Sequence, residues 1–502
     1  MGADGKGEQL TGQKLFFGMK KSWVSKDPGF FMPAECSPPE KMFWVYVSLW
    51  IANFFSPLLY SGVTTILPSV ALDFNSSAAT LSLIVMLFAY SQGYFGAIGG
   101  RLSDLFGLRR MLTLGFIICF ITLVGLFFSP NFLILSIFRL FQGIGTALLI
   151  STSTAIAVNI TPLYRRGTIL GILTSAAYLG TSLGPIIAGA IATFLSWRYL
   201  FIFLMIPNVL GLILFRSSLR LEWCTLDGEQ FDTKGAVMLG LSIGAISLGA
   251  GLMSLYFNLI WFVPVGIILL AVFVYMQNHT KYPIINIELF TKAKSFTLGL
   301  ITMMINFGGT TAFVYYSTMY FQQVRGFTPL MAGFFLLFKS AAQFSFAPFS
   351  GRWADKMHPE YIIVLGLILC TASLVGTAYL DQNSSIYYIY ATLSISGIGI
   401  AVFHSPCTVS ALRDVPKKQI SVASSLTATA RSMGILGSQI VISLAISHYV
   451  GKETVNPDTI PAFLQSMKFS FLFLSALNVI CILYYCKLAY KIFRQDRIKK
   501  AA

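Results

Sequence analysis

Residues Gly99–Arg110 read GGRLSDLFGLRR, a short charged stretch held between two long apolar runs. A link this short that carries Gly100, Asp104, Gly107, Arg109 and Arg110 is doing more than covering distance. Its surroundings say where it lies. The chain has 502 residues, 56% of them hydrophobic and only 11% charged, with a mean hydropathy of +0.74. A soluble chain of this length needs far more polar surface. The apolar residues fall into runs of about 18 or more, long enough to cross the hydrocarbon core as helices. The short alternating segments of a membrane barrel are absent. The sequence describes an all-α polytopic membrane protein.

Fourteen spans are predicted, at 43–71, 79–100, 111–128, 132–160, 168–193, 199–216, 235–255, 259–276, 296–322, 328–350, 361–380, 386–412, 420–450 and 464–487. The pair between Gly235 and Met276 is also open to reading as one re-entrant unit. Charge placement tests the count independently. With a cytoplasmic N-terminus, the tails and alternate loops hold 28 of the 35 Lys and Arg, and the opposite side holds four, Arg198, Arg325, Lys452 and Lys468. Such a bias is expected of an even number of spans with both termini cytoplasmic. The net charge of +16 therefore orients the chain and meets anionic headgroups, so nucleic acid is not an expected partner. No cleavable signal peptide is visible. Residues 1–42 read as a polar cytoplasmic tail in which Leu15–Trp23 is a weak candidate for lying on the inner leaflet. The seven cysteines have no metal or disulfide spacing. Asn75 and Asn383 open glycosylation sequons in predicted outer loops, where chance is the commoner explanation.

The charged pattern returns once. Gly351-Arg352-Trp353-Ala354-Asp355 repeats Gly100-Arg101-Leu102-Ser103-Asp104, 251 residues later and on the same predicted side. Two further patterns stand inside spans: Arg139-Leu140-Phe141-Gln142-Gly143-Ile144-Gly145, and the run from Gly180 through Gly184 and Pro185 to Gly189. Together these resemble the signature loop, fourth-helix motif and antiporter motif of the major facilitator superfamily of transporters. Leu105 and Leu108 stand where the loop pattern expects basic residues, and Ala188 replaces one motif glycine. The second loop copy follows the tenth span, which resembles the fourteen-helix drug:proton antiporter branch. The resemblance implies two six-helix bundles at 43–216 and 296–487, a linker at 217–295 carrying two extra helices, and a basic tail at 488–502. It also implies a substrate site between the halves. Asp104, with Arg109 and Arg110, is then expected to latch one of two states by meeting a helix N-terminus or a nearby Arg, with Gly351 and Asp355 as the second copy. A charge cluster that only sets topology is the plainer alternative. Gly180, Gly184 and Gly189 let helices approach closely, and Pro185 permits a bend.

Ionisable residues inside spans are costly and mark function by default. The candidates for substrate binding or coupling are Arg139 with Gln142, Lys339 with Gln343, His404, and Arg431. The pairs share helical faces at spacings of three and four. No Asp or Glu lies deep in any predicted span. The antiporter branch implies an Asp in the first helix, yet Leu59 stands there. A proton as coupling ion therefore lacks its usual carrier, and His404 is the residue that titrates in range. Hydrogen-bonded packing is an equal alternative for His404, and structural duty for Arg139. Cations without buried acids suit an anionic or zwitterionic small molecule better than a lipophilic cation. No ATP-binding loop, catalytic constellation, cofactor motif or metal cluster is present, so the chain does not read as an enzyme. The expected function is secondary active transport by alternating access, most readily efflux, in a plasma or bacterial inner membrane. A gradient-independent facilitator or importer of an organic anion, and a non-transporting sensor on the same scaffold, remain alternatives.

Overall fold

A computed structural model describes residues 39–74, 78–219, 229–252, 257–327, 329–416, 419–451 and 459–501. Within them run fourteen helices of 18 residues or more and no strand. Backbone polar groups in lipid must pair internally, and a helix does this within one segment. The first six are α1 (Pro39–Phe74), α2 (Ala78–Phe106), α3 (Leu108–Phe127), α4 (Phe132–Ile160), α5 (Arg166–Phe194) and α6 (Tyr199–Ser218). The next two are α7 (Thr233–Leu252) and α8 (Phe262–His279). The last six are α9 (Lys294–Met319), α10 (Pro329–Lys356), α11 (Pro359–Ala378), α12 (Ile386–Arg413), α13 (Ile420–Tyr449) and α14 (Ile460–Ala501). Eleven helical segments are long and apolar enough to cross a membrane by length and composition. The segment expected to be one hairpin or two spans is two helices, joined by a 3₁₀ turn at Phe257–Trp261. Leu15–Trp23 and Asn75 lie outside the described residues.

The stretch expected as a loop, Gly99–Arg110, is helical except at one residue. α2 continues through Phe106 and α3 begins at Leu108, so Gly107 alone makes the corner, at φ 97°. Only glycine adopts that backbone cheaply. The second copy, Gly351–Lys356, is likewise the last turn and a half of α10 rather than a loop. Hydropathy places the membrane boundary, but it does not end a helix. The same holds at the C-terminus, where α14 runs on through the basic stretch to Ala501.

Many hydroxyls in the spans bond back to their own helix, as Thr302 does to the Leu298 carbonyl at 2.7 Å, which keeps them satisfied in an apolar medium. Small residues set the helix contacts. A Cβ at Gly184 would lie 2.9 Å from the Gly62 nitrogen and the Leu58 carbonyl oxygen, and one at Gly180 would strike the Phe54 carbonyl, so α5 packs on α1 backbone to backbone. Gly189 faces open space and takes no part in that contact. The inserted pair joins the seam between halves: Leu239 and Ile243 of α7 and Phe273 of α8 share one core with Ala97 of α2, Phe296 of α9 and Val422 of α13. Tyr90 donates to the Gly240 carbonyl at 3.2 Å, fixing α7 against α2.

Candidate functional site

Two helix crossings carry the contact between the halves. At the first, Gly100 of α2 lies against α13, where an added Cβ would sit 2.5 Å from the Ser421 carbonyl oxygen and 2.6 Å from the Val422 Cα. Asp104, one turn further on, is 1% exposed. At the second crossing Gly351 of α10 meets Gly167 of α5 backbone to backbone. There the Asp355 carboxylate accepts from the Gly167 and Thr168 amides, each at 2.7 Å, and from the Thr168 hydroxyl at 2.5 Å. These donors are the unpaired amides of the first turn of α5, so an acid of one half caps a helix of the other. Burial raises the Asp355 pKa, an effect that exceeds the opposing pull of its hydrogen bonds to Thr168 and Gly167. Ser405 adds a bond to the Gly167 carbonyl at 3.1 Å, and Ser425 one to the Ala97 carbonyl at 3.4 Å. Every hydrogen bond between the two six-helix sets among the described residues falls at this motif-bearing end. At the other end the polar contacts stay within one set. Arg198 grips Asp73 and holds its carboxyl below the usual range, and Arg325 bonds the Gln382 carbonyl at 2.7 Å.

The buried cations form two separate groups. In the first set of helices Arg139 is fully buried, donates to Gln142 Oε1 at 2.5 Å, and lies 4.4 Å from the centre of the Phe88 ring. Its Nε and Nη2 have no partner among the described residues. Tyr60 lies tilted against the same Phe88, with ring centres 5.7 Å apart. Leu59, at the position where an acid is implied, is 0% exposed and serves as core.

The second set gathers more. Lys339 on α10 is 3% exposed, with its ammonium 4.8 Å from the Phe313 ring centre. Gln343, one turn along α10, is also buried. Arg431 on α13 donates to His404 Nε2 on α12 at 3.1 Å, and both lie over Phe307, at 5.7 and 5.3 Å. A guanidinium only donates, so Nε2 accepts and the His404 proton sits on Nδ1, which is buried without a partner. Cys370 on α11 lies within electrostatic reach of Lys339 and donates to Asn306 Oδ1 on α9 at 3.9 Å. Tyr178, from α5 of the other half, packs with Cys370 and is within electrostatic reach of Arg431. No acidic side chain among the described residues pairs with Lys339, Arg139 or Arg431. A separate groove of about 440 Å³ between α3 and α6, lined by Arg109, Arg110 and Arg216, includes none of these cations.

Of the residues singled out from sequence, His404 and Arg431 touch, as do Arg139 and Gln142, while no contact joins Arg139 to Lys339 or Arg431 among the described residues. Tyr178, Asn306 and Cys370 escaped notice because they belong to no motif. Glu360 escaped too. It sits one residue outside its predicted span, fully buried, and pairs with Arg413 at 2.8 Å and Ser410 at 3.2 Å.

Two close glycine crossings between two helical sets, one of them capped by Asp355, fit a membrane transporter, and the sequence profile of the Major Facilitator Superfamily matches residues 49–438. The chain belongs to that family, whose relatives here are transporters rather than enzymes. It is 27% identical over 395 residues to the riboflavin transporter RibZ of Clostridioides difficile, covering 78% of this chain and 85% of that one. It is 25% identical over 413 residues to the multidrug resistance protein Stp of Mycobacterium tuberculosis, covering 79% and 76%. The crystal structure of the human organic anion transporter MFSD10 superposes with a TM-score of 0.67 over 89% of this chain and all (100%) of that one. At 14% identity that likeness speaks for the fold alone.

Proposed function

We propose that this chain is a secondary active transporter that exports a small organic anion by alternating access, from a plasma or bacterial inner membrane with both termini cytoplasmic. In this reading 43–216 and 296–487 are the moving halves, 217–295 carries the inserted pair, and the motif-bearing end faces the cytoplasm. The observation that carries the substrate charge is the burial of Lys339 and Arg431 against Phe313 and Phe307 with no acid beside them. An Arg or Lys at the centre of a span costs about 2.5–3.5 kcal/mol on insertion scales. A ring face offsets part of that, about 0.5–2 kcal/mol. An anionic substrate offsets the rest, and only while it is bound. The contacts of Asp355 with α5 and of Gly100 with α13 support a state closed at the cytoplasmic end. Protons are the coupling ion that the fourteen-helix branch implies. With Leu59 in place of an acid, His404 and its partner Arg431 are the coupling pair in this reading.

Proteoliposomes with an imposed pH gradient test it, with organic anions and lipophilic cations offered in parallel. Anion flux in wild type, lost in Lys339→Ala, is the expected result. Cation flux in both proteins with no anion moved by either overturns the reading.

A further inference from the structure

Three buried groups near Arg431 each have a hydrogen left to donate, and one of them comes from the opposite half. Asn306 Oδ1 is occupied by Cys370, which leaves the Asn306 amide Nδ2 buried with no acceptor. His404 Nε2 is occupied by Arg431, which leaves the Nδ1 proton buried with no acceptor. The Tyr178 hydroxyl is buried with no partner. A tyrosine hydroxyl donates one hydrogen bond, so an acceptor brought beside it has a donor to meet. Each orphan costs on the order of 1–3 kcal/mol when it stays unmet. Many packing hydroxyls in this chain bond back to their own helices, and single orphans such as Ser136 and Ser475 stand elsewhere; what sets these three groups apart is that they gather around the Arg431–His404 pair and Cys370.

We propose that Tyr178 is the contact through which the N-terminal half holds the anionic group of the substrate, an acceptor-only group such as a carboxylate, shared with Asn306, His404 and Arg431 of the C-terminal half. The inference rests on the anion-export reading and adds to it the head-group chemistry and a residue that reads it. A carboxylate offers roughly four lone-pair sites, matching one tyrosine, one amide, one imidazole and one guanidinium. A carboxamide brings two donors into a site that has none to receive them, so it is rejected. An ammonium is rejected more strongly. Because Tyr178 stands on α5, one bound group ties the two halves together at the depth of the cluster. The latches tie them only at the motif-bearing end.

The test is calorimetric binding of three ligands with one ring and different heads, 1-naphthoate, 1-naphthamide and 1-naphthylmethylamine, to the purified full-length protein. Wild type is expected to prefer naphthoate by at least about tenfold, the worth of one charge-assisted hydrogen bond. Tyr178→Phe removes only the hydroxyl. It is expected to weaken naphthoate about tenfold and leave naphthamide nearly unchanged, a loss of head-group selectivity that a packing role does not produce. Tyr164→Phe, on an exposed tyrosine, is the control and leaves all three unchanged. If Tyr178→Phe binds naphthoate as wild type does while Lys339→Met loses it, the Tyr178 assignment fails and the anion reading survives. If Tyr178→Phe weakens naphthoate and naphthamide equally, Tyr178 is a packing residue and the assignment fails. If wild type prefers the amine, or binds none of the three, both readings fall together.

Discussion

Gly100→Ala isolates the helix crossing that closes one end of the molecule. The new methyl would lie 2.5 Å from the Ser421 carbonyl oxygen and 2.6 Å from the Val422 Cα, where ordinary contact begins at 3.4 Å. The shortfall of about 0.9 Å is against backbone, which has no rotamer to escape into, so α2 and α13 must separate. Overpacking of this kind costs about 1–3 kcal/mol. If the crossing exists in one transport state only, that energy moves the equilibrium between states by a factor of roughly 5 to 150. The reporter belongs at the other crossing, so that local distortion is not mistaken for opening. Ala347 is 0% exposed, and its carbonyl lies where a Cβ on Gly171 would meet it at 2.6 Å. Maleimide labelling of Ala347→Cys is expected to be slow in the parent and faster by that factor when Gly100→Ala is added. An unchanged rate in protein that is folded and inserted would refute the view that the two crossings open together.

Four further expectations follow from other contacts. Asp355→Ala strips the acceptor from two α5 amides and one hydroxyl, and should weaken the latch by about 1–2 kcal/mol, or 5- to 30-fold in the same labelling assay. Because burial raises the Asp355 pKa in the latched state, that state binds the proton more tightly than an open one, so the latch strengthens as pH falls and loosens as pH rises through the raised value; Asp355→Asn should flatten this slope in labelling rate against pH. Arg413→Ala leaves Glu360 fully buried with only Ser410, and since Arg413 itself is 41% exposed the loss should be about 2–4 kcal/mol, read as a lower melting temperature in detergent and largely restored by adding Glu360→Gln. Gly107→Ala forces a side chain to φ 97° and should cost about 1–2 kcal/mol in the same thermal assay.

The fold was legible because lipid makes sequence simple. A span is a run of apolar residues, and the side that holds Lys and Arg is counted directly, so fourteen helices follow from hydropathy and charge alone. What hydropathy does not report is where a helix stops, since a charged helical turn and a charged loop have the same composition. That is why Gly99–Arg110 reads as a loop although only Gly107 leaves the helix. The site was legible where charge is rare: Lys339, Arg431 and Arg139 stand out in any apolar run. Tyr178, Asn306 and Cys370 do not, because each is an ordinary residue on its own helix. Their meaning arises from three spans converging, which no spacing within one helix encodes. The latch shows the same limit differently. The motif led to the expectation that Asp104 meets a helix N-terminus or a nearby Arg, yet only the tertiary structure says that its second copy, Asp355, finds the first turn of α5 in the other half.

The two halves repeat their glycine crossings but not their interiors, and in the proposed reading the difference bears on how charge is balanced during transport. Arg139 has a partner on its own helix, Gln142, and a ring beneath it. Lys339 and Arg431 have rings and an imidazole but no carboxylate. In a carrier with an acid in its first helix, a proton neutralises the empty site. Here Leu59 fills that place with hydrocarbon, and in the proposed reading His404 beside Arg431 handles the proton instead. In that reading the charge that neutralises Lys339 arrives with the cargo. An anionic substrate then does two things at once: it meets the donors that select it, and it lowers the cost of sealing the chamber from water. A cation does neither, so under the anion-export proposal the sign of the transported species, more than its size or shape, is the property this interior is expected to discriminate.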